Sequence, residues 1–134
     1  MIVRYTSKKS IEEVFQYLYD MQKFAEVHPV IYKIEKKGEN HYLFFEKLKF
    51  LLFFPYDFTY NVVIKNIEFN KSLQMYSEVQ KGVHLNLNFL LQTENNLTII
   101  VETIETKAII GVKQILEMTV KKAHRKMFEN IEID

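Results

Sequence analysis

VHLNLNFLLQ, residues 83–92, is the stretch on which the fold turns. Val83, Leu85, Leu87, Phe89 and Leu91 alternate with His84, Asn86 and Asn88. A period of two sends successive side chains to opposite faces of a strand, so this one has a core side and a water side. Parallel strands are covered on both faces and read as unbroken apolar runs. A clean alternation points to an antiparallel sheet.

The flanking segments read the same way. Lys81-Gly82 separates this strand from another at 73–80, and Asn70-Lys71-Ser72 separates that one from residues 57–69. There Phe58, Tyr60, Val62 and Ile64 share a face. Gly38-Glu39-Asn40 turns between strands at 30–37 and 41–48, and Glu94-Asn95-Asn96 leads into a strand at 97–106. Six strands in a row on short turns form a meander, because parallel pairing needs long crossovers. Before them, residues 1–6 read as a strand in which Val3 and Tyr5 alternate with Arg4 and Thr6. Ser10 and Glu13 fit a capping box that opens a helix with Ile11, Val14, Phe15, Leu18 and Tyr19 on one stripe. A second short helix covers 21–27 and stops at His28-Pro29, since a residue before proline avoids the helical region. The chain ends in a helix expected over about 109–131, with Val112, Leu116, Thr119, Ala123 and Met127 on one face.

Composition narrows the function classes. Eleven Phe and eight Tyr in 134 residues supply enough apolar surface for one folded domain, spanning residues 1–134, and exclude a disordered chain. With no cysteine there is no disulfide framework, thiolate zinc site or cysteine nucleophile. A net charge of +1 lacks the basic excess of a nucleic-acid binder. The amino terminus has no apolar run or cleavage site of a targeting segment, and the chain reads as soluble and cytoplasmic.

The order strand, two helices, six strands, long helix resembles the helix-grip fold of the START-related, Bet v 1-like proteins, also called the SRPBCC or polyketide cyclase/dehydrase superfamily. Ser10-Ile11-Glu12-Glu13-Val14-Phe15-Gln16-Tyr17-Leu18-Tyr19-Asp20 is similar to that superfamily's opening E-x-V-[FW]-x-x-[LI]-x-D helix, and His28-Pro29 and Gly111 are similar as well. The resemblance implies an α+β fold, about seven curved antiparallel strands gripping the last helix, with a cavity between them for an apolar ligand. The faces read above place Phe58, Tyr60, Val62, Leu85, Leu87, Phe89, Leu116, Thr119, Ala123 and Met127 on its wall. The expected cavity reaches the roughly 300 Å³ of small-molecule sites.

Catalytic equipment is sparse. The histidines at 28, 41, 84 and 124 show no metal-ligand spacing, and no phosphate loop, dinucleotide fingerprint or nucleophile elbow occurs, so neither a metal nor a cofactor is called for. His28 reads as a helix terminator, His41 as a turn residue and His84 as a solvated strand residue. His124 either edges the cavity or lies on the surface, and the surface is favoured. Polar candidates for the interior are Tyr42, Tyr60, Tyr76, Glu46 and Glu102. Glu102 interrupts Ile99-Ile100-Val101 and Ile104. Two placements are open, and the favoured one turns Ile99 and Val101 inward and Glu102 to water. The leading expectation is binding of a small hydrophobic molecule (lipid, isoprenoid or polyketide-like) without chemistry. One alternative is a cyclase, aromatase or dehydratase using Glu102, Tyr60 or His124. Another is a coenzyme-Q-type or membrane-edge chaperone that contacts a membrane or protein through Phe50-Leu51-Leu52-Phe53-Phe54-Pro55-Tyr56.

Overall fold

A computed structural model describes residues 1–47 and 57–134, with Phe58 described in its backbone alone. The apolar stretch from Phe50 to Tyr56 and the side chain of Phe58 thus lie outside the described residues. The elements are β1 (Ile2–Ser7), α1 (Ile11–Tyr19), α2 (Met21–Val27), β2 (Ile31–Gly38), β3 (His41–Lys47), β4 (Asp57–Glu68), β5 (Ser72–Gln80), β6 (Val83–Glu94), β7 (Leu97–Lys107) and α3 (Val112–Ile133). The seven strands form one antiparallel sheet in the order β1-β7-β6-β5-β4-β3-β2. This is the helix-grip arrangement, a curved sheet around a long carboxy-terminal helix.

Local chemistry sets the joints. Ser10 Oγ accepts the Glu13 N–H at 3.2 Å and the Glu13 carboxylate accepts the Ser10 N–H at 3.4 Å, closing the capping box. Asp20 ends α1 and, by accepting the Gln22 and Lys23 N–H groups, starts α2. Three hairpin turns run on asparagine rather than glycine: Asn40, Asn70, Asn95 and Asn96 all have φ between 53° and 65°. Asparagine tolerates this left-handed region because its short amide bonds to the local backbone. The last helix begins at Val112, three residues later than expected. Gly111 has φ 97°, which no helical residue adopts, and Gln114 Oε1 accepts the Gly111 N–H at 2.7 Å.

The core lies between the concave sheet face, α1, α2 and α3. Phe15, Leu18, Phe24, Phe89, Ile100, Ile104, Met127 and Ile131 are almost wholly buried. Each such side chain stabilises the fold by about 1.5–3 kcal/mol through burial. Among the described residues no helix is long and apolar enough to cross a membrane.

Candidate functional site

Between the sheet and α3 sits an internal cavity of about 50 Å³. It is smaller than expected, because Met75, Val79 and Leu87 of the sheet and Leu116 and Val120 of α3 fill much of the gap that Thr119 and Ala123 leave. The strand alternation supplies the wall: Phe44 and Glu46 on β3, Tyr60 and Val62 on β4, Met75, Ser77 and Val79 on β5, Leu85 and Leu87 on β6. The helical repeat supplies Leu116, Thr119, Val120, Ala123 and His124, and α2 with its cap supplies Phe24, His28 and then Ile31.

Seven of the ten expected wall residues therefore line the cavity: Tyr60, Val62, Leu85, Leu87, Leu116, Thr119 and Ala123. Phe89 and Met127 do not. Both are fully buried behind the wall, with Phe89 packed on the His124 and Phe128 rings.

Polar groups gather where α2, β3, β4 and the middle of α3 meet. Glu46 and Tyr60 are hydrogen-bonded to each other. Burial pushes the Glu46 carboxyl up to about 7, although the Tyr60 hydroxyl and the nearby His124 both pull it down. Burial, then Glu46, raises the Tyr60 hydroxyl well above its ordinary value. His28 caps α2 and its Nδ1 accepts the Val30 and Ile31 N–H groups at 3.2 and 3.1 Å, closing the chain around Pro29. Burial, then the neighbouring His124, holds its pKa well below the usual histidine value. The His28 and His124 rings meet edge to face with centroids 5.5 Å apart.

Two expectations are corrected here. Glu102 does not face water. It is completely buried, with Oε2 2.5 Å from His124 Nδ1 and Oε1 accepting the Tyr5 hydroxyl at 3.2 Å. The inward set on β7 is Ile100, Glu102 and Ile104, because the pairing across the Asn95-Asn96 turn puts Glu102 opposite Phe89. Residues directly opposite in an antiparallel pair share a face. His124 in turn is not a surface residue but 4% exposed, four positions after Val120 and four before Phe128 on the buried side of α3. Glu102 lies behind His124 and does not itself line the cavity. Tyr5, which the sequence marked only as alternating with Arg4 and Thr6 on the first strand, completes the chain Tyr5–Glu102–His124. Its hydroxyl is pushed above the ordinary range by burial and then by the Glu102 charge.

The other candidates lie elsewhere. Tyr76 is on the outer face, where its hydroxyl meets His84 Nδ1 at 2.8 Å beside an open hollow of about 440 Å³. Tyr42 shares the inward face with Phe44 but is not on the cavity wall. His41 opens β3 and bonds Asn61 at 3.0 Å. Arg4 and Arg125 are both exposed. Among the described residues no group of three or more His, Asp or Glu is placed to hold a metal ion.

No family model and no curated protein matches the sequence. Solved structures do match in fold. A conserved protein from Geobacillus kaustophilus superposes with a TM-score of 0.79 at 16% identity, over 98% of this chain and 91% of that one. The Bet v 1 allergen Ara h 8.0201 gives 0.74 at 15%, over 98% and 93%. The Zhui aromatase/cyclase from a Streptomyces species, R1128, gives 0.70 at 12%, over 98% and 89%. Likeness at this identity establishes the Bet v 1-like fold, while function has to be argued from the site.

Proposed function

We propose that the protein binds a small, largely apolar molecule between the sheet and α3 and holds it without altering it covalently. The observation that carries this reading is the make-up of the cavity wall. Val62, Met75, Val79, Leu85, Leu87 and Leu116 give it an apolar lining, to which His28, Glu46, Tyr60 and His124 add a few polar groups. A site of this kind gains its affinity from apolar burial and its orientation from a few polar groups. The likeness in fold to a Bet v 1 allergen and to an aromatase/cyclase supports a ligand-binding reading.

At about 50 Å³ the cavity holds a few atoms without change. A ring-sized ligand widens it, and Met75, an unbranched thioether on the wall, is the side chain most readily displaced. Native mass spectrometry and a thermal-shift screen with small hydrophobic compounds test the reading. Adduct masses and a raised Tm are expected, and substituting Leu87 by Trp should fill the space and abolish both. A screen in which no compound shifts the wild-type protein more than the filled variant overturns it.

Tyr5–Glu102–His124 favours a second reading, acid–base catalysis. A carboxylate behind an imidazole that faces a cavity orients a general base. The group facing the substrate is then His124, not Glu102. Recovery of a bound compound in chemically changed form, lost in a His124→Asn variant, would select this reading over simple binding.

A further inference from the structure

The two cavity histidines are fixed in opposite senses by what lies behind them. In His28, Nδ1 faces two backbone N–H donors, so it is the bare nitrogen, and the ring is neutral because burial disfavours its charge. Its proton therefore sits on Nε2. In His124, Nδ1 faces Glu102, whose other oxygen already accepts the Tyr5 hydroxyl, so Nδ1 carries the proton shared with that carboxylate. That leaves Nε2 as the nitrogen of His124 available to a ligand. Neither Nε2 has a hydrogen-bond partner among the described residues, and among them no sealed-off side-chain polar atom lacks one. Both nitrogens are thus open to the cavity that both rings line.

Building on the binding reading above, we propose that His28 and His124 form a recognition site for a hydroxyl group, so that the ligand is a small alcohol or phenol on an otherwise apolar frame. His28 Nε2–H donates to the ligand oxygen, and the ligand O–H donates to His124 Nε2. A hydroxyl gives and takes through one oxygen. A ketone or an ether only accepts, and a hydrocarbon does neither. The match also survives movement of the shared proton: if it passes from the ligand oxygen to His124, the same atoms and net charge remain, as an oxyanion beside an imidazolium paired with Glu102. A carboxylate ligand fits less well, since it brings a further anion close to Glu102 and Glu46.

Phenol, anisole and toluene, titrated into the protein at pH 7 and followed by NMR shifts of cavity methyl groups, provide the test. Phenol is expected to bind about tenfold or more tightly than either of the others, because the His124 acceptor stays unpaired when the hydroxyl is capped, and the His28 donor as well when it is missing. His28→Asn retains an acceptor for Val30 and Ile31 while removing the Nε2–H. His124→Asn retains an N–H for Glu102 while removing the Nε2 lone pair. In His28→Asn, anisole and toluene should match within about twofold while phenol keeps part of its lead through His124; in His124→Asn, phenol and anisole should match within about twofold and both exceed toluene. Imidazole ¹⁵N spectra of the wild-type protein add a readout independent of the variants and should show His28 protonated at Nε2 alone. Anisole or toluene binding as tightly as phenol, or a His28 proton on Nδ1, overturns the hydroxyl site and leaves the binding reading standing. Failure of all three probes to bind overturns both.

Discussion

A tyrosine, a glutamate and a histidine meet in two places on opposite faces of the same sheet. Inside, Tyr5, Glu102 and His124 are joined at 3.2 and 2.5 Å, with the Glu102 and His124 side chains 0% and 5% exposed. Outside, Tyr76 meets His84 at 2.8 Å and His84 meets Glu78 at 3.4 Å, with the His84 and Glu78 side chains 33% and 52% exposed. The side chains are the same, so the difference lies in the surroundings. Water competes for every outer contact and replaces any that is lost. Within the core, Tyr5 and His124 both depend on Glu102, and Glu102 on the two of them.

Cutting each trio at its glutamate gives the largest contrast. Glu102→Ala strands His124 and Tyr5 in the core and should cost about 3–5 kcal/mol in urea unfolding. Glu78→Ala should cost under about 1 kcal/mol. Equal losses would show that burial is not what separates the two sites.

A pH series extends the contrast to Glu46, whose folded pKa of about 7 stands above its ordinary 4.5. The raised value means that the neutral form is favoured in the fold. Its contribution is whole below pH 4.5 and is lost as pH rises through 7. Glu46→Gln, a permanent mimic of the neutral acid, should match wild type at pH 4.5 and exceed it by about 3 kcal/mol at pH 8. His28 acts with the opposite sign. Its folded pKa is lowered, so below pH 6.5 the unfolded chain takes up a proton that the folded one refuses, and stability falls with acid. Between pH 4.5 and 6.5 these two slopes oppose one another and nearly cancel in the wild type. The His28 effect is therefore read in Glu46→Gln, whose stability should rise from pH 5 to 7, and a flat profile in that variant would contradict the assignment.

Hydroxyl deletions make a smaller test. Tyr5→Phe leaves Glu102 Oε1 without its donor and should cost about 1–3 kcal/mol, against under about 1 for Tyr76→Phe. The smallest effect belongs to His84→Ala, expected within about 0.5 kcal/mol of wild type by the same unfolding curves.

The strand order and the inward faces were legible because two-residue alternation is a local property, plain in residues 83–92. The cavity wall followed from those faces for Tyr60, Val62, Leu85 and Leu87. Glu102 was misplaced because Ile99, Ile100 and Val101 stand side by side just before it, and a continuous apolar run carries no phase. The phase was nonetheless present across the turn: counting outward from Asn95-Asn96 pairs Glu102 with Phe89, already assigned to the core. His124 was missed for a related reason. The apolar stripe of α3 was drawn through Ala123, whereas a second row of Val120, His124 and Phe128 is buried beside it. The tautomers that distinguish the two histidines could not be read at all, since they depend on backbone amides and on a carboxylate 22 residues away.

The pairing of the first strand with the last sets an order of assembly. β2 to β7 can zip up hairpin by hairpin, each closing a short loop. β1 finds its partner only after most of the chain is in place, and Tyr5 is 97 residues from Glu102. Contacts of such separation are slow to form because the loop must close before they stabilise anything. Tyr5 on β1 and His124 on α3 both bond Glu102, so the buried carboxylate is sealed only once the first strand and the last helix have both closed over it.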